Sequence, residues 1–278
     1  EKGIVDGPRL IVAGPAIVTT GSYGPKGFAE QVNVPLGAIA ADGTDDLIKE
    51  VRRQIGGGAD FIKVYADYRW GPNKEAMPTF TLDELKLIVE VAGSSGRKVV
   101  AHAATAEGMR RATMAGVITI EHGDGGNPEV YSLMKSRDVA LCPTLAAGDA
   151  IAQYRGWKKG LEPDPERIVN KKKSFKEALA SGVTIVAGGD VGVFSHGDNV
   201  RELEMMVEYG MKPIDVLKSV TSVNADAFGI SKELGRLKKG LGADITVVES
   251  NPEKDISNLR RIKAVILEGK IKRIDNNQ

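Results

Sequence analysis

Three histidines occur in the whole chain, and two of them close short apolar runs. His102 ends "KVVAHA" and His122 ends "VITIEH", twenty residues apart, about one β-α repeat. Lys63 lies inside "DFIKVY", and Asp190 follows a glycine pair in "VTIVAGGD". These are groups that bind metal ions or move protons. Each also has a plain structural reading. A strand-end histidine is usually hydrogen-bonded, and Asp190 could cap a turn or helix. Lys63 is harder to dismiss, because two-residue alternation puts it on one face with Phe61 and Tyr65. A lysine among apolar neighbours is costly to bury unless it is paired or chemically altered. Two chemistries use such a lysine: a neutral amine that forms a Schiff base, or a carbamate made with carbon dioxide, which can ligate metal. Only the second also gives the histidines a purpose.

The elements that must position these residues alternate. Six β-rich runs start at Arg9, Asp60, Lys98, Val117, Val139 and Val183, and all are rich in Val, Ile and Leu. Near-continuous apolar runs suit parallel strands covered on both faces. Helical patterns lie between them. One opens at Thr44 and ends in the glycines 56–58, and another has Thr81 as N-cap with Glu84 in capping-box position. The pattern predicts an α/β fold with a parallel sheet and right-handed crossovers. The glycine-rich stretch from Gly14 to Gly43 reads as a long loop. After Asp190 come two helices, the second opened by Pro213, and then a small β unit with Glu268-Gly269 as a tight turn.

The totals narrow the function classes. The chain has 278 residues, 42% of them hydrophobic, with 38 basic and 37 acidic side chains. That balance gives no reason to expect nucleic acid or an anionic membrane as partner. The basic run "NKKKSFK" reads as a solvated helix face. Cys142 is alone, so neither an intrachain disulfide nor a cysteine-based metal site is available. No apolar run reaches the length of a membrane span, and a cytoplasmic location is the working expectation. The chain opens mid-pattern without an initiator Met, and a preceding or separate N-terminal piece is expected.

The ordered set of Lys63 on one strand, "AHA" and "EHG" on the next two, and "GGDVG" on the last resembles the amidohydrolase superfamily. The likeness is strongest to its imidazolonepropionase-like and Xaa-Pro dipeptidase-like branch. "GRLKKGLGADITVVES" resembles that family's closing β-sandwich segment. The resemblance implies a (β/α)8 TIM-barrel type of fold, here incomplete with about six βα units. It implies barrel over residues 1–230 and part of a small C-terminal β-sandwich over 231–278. It further implies one or two divalent metal ions, zinc by preference. Lys63 would be a carbamylated ligand, His102 and His122 would hold the more exposed metal, and Asp190 would be ligand and general base. The family's His-x-His pair on the first strand has no counterpart, which leaves the second metal site incomplete.

The expected activity is metal-dependent hydrolysis of an amide or peptide C–N bond in a small molecule, a dipeptide or N-acyl amino acid. Tyr65, Tyr68, Arg69 and His196 are the candidate substrate-binding residues. Arg69 could grip a substrate carboxylate through two parallel hydrogen bonds. The rivals are a cyclic-amide (imidazolone-type) hydrolase, a Schiff-base lyase using Lys63, and a non-catalytic barrel fragment. A homo-oligomer is compatible with all of them.

Overall fold

The structure is a computed structural model that describes residues 7–29, 31–32 and 34–274. The opening stretch before Gly7 lies outside the described residues. The chain divides into two compact units. One comprises Leu10–Leu141 with Ala180–Thr184; the other comprises Glu1–Arg9, Cys142–Leu179 and Ile185–Gln278.

The first unit is built on a parallel sheet. Its strands are β1 (Ala16–Val18), β2 (Ala38–Ala40), β3 (Phe61–Tyr65), β6 (Lys98–Ala103), β7 (Thr119–His122) and β8 (Ala140–Cys142), in the spatial order β2-β1-β3-β6-β7-β8. A short antiparallel pair, β4 (Asp67–Arg69) and β5 (Ala76–Pro78), follows β3 directly. The helices α1 (Gly43–Gly56), α2 (Leu82–Gly93), α3 (Ala106–Ala115) and α4 (Pro128–Ser136) connect the strands. This six-stranded alternating arrangement is an open portion of a (β/α)8-type barrel sheet.

Register explains which residues are core. Ile62 pairs with Val99, Val64 with Ala101, and Ala101 with Ile120. All five are buried, on the face that meets α1, α2 and α3. Leu47, Val51, Leu85, Ile88 and Met109 fill the helix side of the same layer. The opposite face carries Lys63 and Tyr65 of β3, Val100 and His102 of β6, and Thr119 and Glu121 of β7 in matching register. One face therefore holds only aliphatic residues, and the other holds the polar groups together with Val100, as the period of two requires.

The second unit contains α5 (Leu145–Tyr154), all but the last two residues of α6 (Glu166–Ser181), α7 (Val200–Glu208), α8 (Pro213–Lys218) and α9 (Asn224–Phe228). A five-residue π-helical turn, Ser219–Val223, joins the last two. An antiparallel sheet of β9 (Ile245–Val248), β10 (Ile262–Leu267) and β11 (Lys270–Ile274) follows. Glu268 and Gly269, both at positive φ, form the expected turn between β10 and β11. Two left-handed residues in a two-residue loop match the twist of the flanking strands. No described helix is long and apolar enough to cross a membrane.

Three local expectations change. The run from Arg9 is not a strand; it makes one bridge, Ala13 to Phe61, and leaves Leu10 and Val12 largely exposed. The glycine-rich stretch is not one loop, since it contains β1 and β2, whose three-residue cores lie between glycines. The run from Val183 carries a single bridge residue, Ile185, instead of a strand. Short strands supply too few alternating positions to stand out from glycine-rich surroundings. The capping box at Thr81 and Glu84 forms as expected. At α1 the N-cap is Asp42, with no side-chain cap bond.

Candidate active site at the strand ends

Lys63, Tyr65 and His102 stand on the polar face, with Tyr65 directly opposite His102 in the register. Their rings stack at 4.5 Å between centroids and 19°. Lys63 Nζ sits 5.9 Å from the centre of the Tyr65 ring.

His122 is not level with His102. His102 pairs with Glu121, and His122 pairs with Ala103, one step further. Strict alternation would send the His122 side chain to the helix face. Instead its ring lies 4.5 Å from that of His102, edge-on at 68°. The backbone supplies the reason. His122 has φ of 75°, a left-handed conformation that turns the strand end out of its pleat. The turn is held in place. Gly123 N–H donates to Ala103 O at 2.9 Å, Gly125 N–H donates to Ala104 O at 2.8 Å, and the Tyr131 hydroxyl donates to Gly123 O at 3.2 Å. Non-glycine residues held at positive φ carry about 1–3 kcal/mol of strain and cluster at functional sites.

Around the histidines is an aromatic group that sequence reading gave only in part. Tyr23, from the β1–β2 connection, packs against Tyr65 at 5.1 Å and Tyr68 at 5.0 Å. Tyr68 lies 6.0 Å from His102, and burial pushes its phenol upward from its usual range. The Arg69 guanidinium lies over the Tyr68 ring at 5.8 Å, with its side chain exposed. Tyr23 carries no signal in its glycine-rich neighbourhood; only folding brings it to the site.

Asp67 was also missed. It is fully buried and accepts hydrogen bonds from Ala104 N–H, Thr105 N–H and the Thr105 hydroxyl. Its Oδ1 lies 3.7 Å from His102 Nε2. Burial raises its carboxyl above the ordinary range, against the pull of those donors. An acid four residues after Lys63, directly beyond a strand, was the available hint.

Asp190 and His196 belong to the other unit. Asp190 is exposed, adopts φ of 58°, and its carbonyl accepts from Val193 N–H at 3.2 Å, which makes it the start of a turn. His196 is exposed on the following loop. Within this unit Glu202 of α7 is fully buried and accepts from Leu145 N–H at 2.9 Å and Ala146 N–H at 2.7 Å, at the N-terminus of α5. Burial pushes its carboxyl up to about 7; the Asp190 charge adds to the rise, and the helix donors and Lys171 oppose it. Thr144, the residue before α5, has φ of 48° and gives the helix no side-chain cap, so Glu202 takes over that task.

A divalent cation sets a distance that its imidazole ligands must meet. Two imidazoles sharing one tetrahedral zinc, with bonds of about 2 Å, hold their ring centres roughly 5 Å apart. The His102–His122 centroid separation of 4.5 Å is close to that distance. Among the described residues no group of three or more His, Cys, Asp and Glu side chains is disposed to hold a metal.

A parallel β-α sheet with polar side chains gathered at its C-terminal strand ends is the arrangement of an incomplete (β/α)8-type barrel. The chain belongs to the Amidohydrolase family, whose model matches residues 1–272. It is 29% identical over 290 aligned positions to an ochratoxinase of Aspergillus niger, covering 95% of this chain and 59% of that protein. The chain thus spans about three fifths of the length of that relative. Among solved structures it resembles a Xaa-Pro dipeptidase with methionine bound in its active site, at 33% identity and a TM-score of 0.86, covering 98% of this chain and 70% of that one. It also resembles a prolidase complexed with N-methylphosphonate-L-proline, at 27% identity and a TM-score of 0.83, over 98% of this chain and 71% of that one.

Proposed function

We propose that the protein is a metal-dependent hydrolase of carbon–nitrogen bonds, acting on the amide or peptide bond of a small substrate such as a dipeptide or N-acyl amino acid. The observation that carries this reading is the convergence of the His102 and His122 rings at 4.5 Å, reached through the left-handed backbone of His122. Family membership and the similarity to a prolidase and an ochratoxinase support it.

His102, His122 and a carbamylated Lys63 would hold the ion, with Asp190 as the further ligand the family pattern assigns. A zinc ion there would supply polarisation of the scissile carbonyl and activation of water at neutral pH. The protein's own groups do the rest. The resemblance assigns to Asp190 the role of general base, which would take a proton from water and return it to the leaving nitrogen. Tyr65 and Tyr68 flank the substrate with their rings. Arg69, whose guanidinium lies 5.8 Å from the centre of the Tyr68 ring, would offer its N–H groups to a substrate carboxylate.

The experiment is metal analysis joined to turnover. The protein prepared with zinc and bicarbonate is expected to retain divalent metal and to release amino acid from Xaa-Pro dipeptides or N-acyl amino acids. Lys63→Ala is expected to lose both properties. Full metal occupancy and turnover in Lys63→Ala would overturn the carbamate, and absence of metal and turnover in the parent protein would overturn the function.

A further inference from the structure

Asp67 has a constrained set of partners. Its Oδ2 accepts three donors: Ala104 N–H at 2.9 Å, Thr105 N–H at 2.7 Å and the Thr105 hydroxyl at 2.7 Å. Its Oδ1 accepts from Ala104 N–H at 2.9 Å and turns its remaining side to His102 Nε2, 3.7 Å away. The carboxylate cannot swing. Three donors fix one oxygen, and Gly108 leaves no Cβ where the same oxygen packs. The helix does not need Asp67 as its cap, because the Thr105 hydroxyl already accepts from Gly108 N–H at 3.0 Å. A buried, immobile carboxylate oxygen facing one ring nitrogen selects the tautomer of that ring.

We propose that Asp67 is a positioning residue that holds the His102 proton on Nε2, so that Nδ1 carries the lone pair offered to a divalent cation alongside His122. The inference rests on the metal-dependent reading above, but the tautomer itself can be measured without metal. At 3.7 Å the Asp67–His102 contact is longer than a hydrogen bond; with the carboxylate anchored, the pairing requires the His102 ring to close that gap.

The test uses the full chain with 15N-labelled histidine, free of metal, at a pH where the imidazoles are neutral. With only three histidines, His122→Asn and His196→Asn variants assign the signals. The expected result is His102 as the Nε2–H tautomer. In Asp67→Asn the backbone donors keep the amide oxygen, and the NH2 group is left facing Nε2. The His102 tautomer should then invert to Nδ1–H, and zinc affinity, read by chelator competition, should fall about 10–100-fold. Thr105→Ala loosens the same anchor but keeps Oδ1 in place. It should lower the melting temperature and leave the tautomer unchanged. An Nδ1–H ring in the parent protein, or an unchanged tautomer in Asp67→Asn, overturns the proposal. If the parent protein takes up no zinc, the metal-dependent reading fails, while the tautomer still decides the role of Asp67.

Discussion

The His102 and His122 rings meet at 4.5 Å although their strand positions differ by one step, and the reversed backbone sign at His122 is what joins them. A residue that must adopt φ of 75° is replaceable only by one that tolerates it. His122→Asn is therefore expected to keep stability within about 1 kcal/mol, since Asn accepts the left-handed region, while His122→Val should lose about 1–3 kcal/mol. Urea unfolding separates the two. Both variants should lose zinc binding, because each removes an imidazole.

Gly108 lies in the first turn of α3, where Gly→Ala ordinarily gains about 0.5–1 kcal/mol. Here a Cβ would overlap the Asp67 carboxylate, which is anchored and cannot move aside. Overpacking costs typically 1–3 kcal/mol, so the sign reverses. Gly108→Ala is expected to destabilise by about 2 kcal/mol in denaturant titrations, and to disturb the His102 signals that report on Asp67.

The buried Glu202 makes stability depend on pH. Its folded pKa of about 7 lies above the ordinary value of 4.5. Between those values the native state holds a proton that the unfolded state has lost, so stability falls as pH rises. The contribution is complete below the unfolded pKa and gone above the folded one. The shift corresponds to a loss of about 3 kcal/mol across that window. Glu202→Gln should flatten the profile, as measured by melting temperature at a series of pH values.

Glu268 occupies a left-handed position in the β10–β11 turn, φ 52°, ahead of Gly269. Asn-Gly is the preferred pair for such a turn. Glu268→Asn is expected to raise stability by about 0.5–1 kcal/mol, because the exposed Arg9–Glu268 ion pair that it removes contributes little. Thermal unfolding of the variant provides the check.

The sequence by itself determined the class of fold and the chemical character of the site. Alternating apolar runs and helical patterns gave the parallel sheet, and the capping box gave α2, since each depends on residues within a few positions of one another. The types and order of Lys63, His102, His122 and Asp190 carried the family resemblance. Where contacts are distant in sequence, only the tertiary structure decided. Tyr23 joins Tyr65 and Tyr68 from a glycine-rich connection, and Asp67 reaches Thr105 and His102 across some forty residues. Glu202 caps a helix that starts 57 residues before it. The pairing of the two histidines also belongs to the fold, because a single residue held at positive φ reverses what a strand's two-residue period would otherwise dictate.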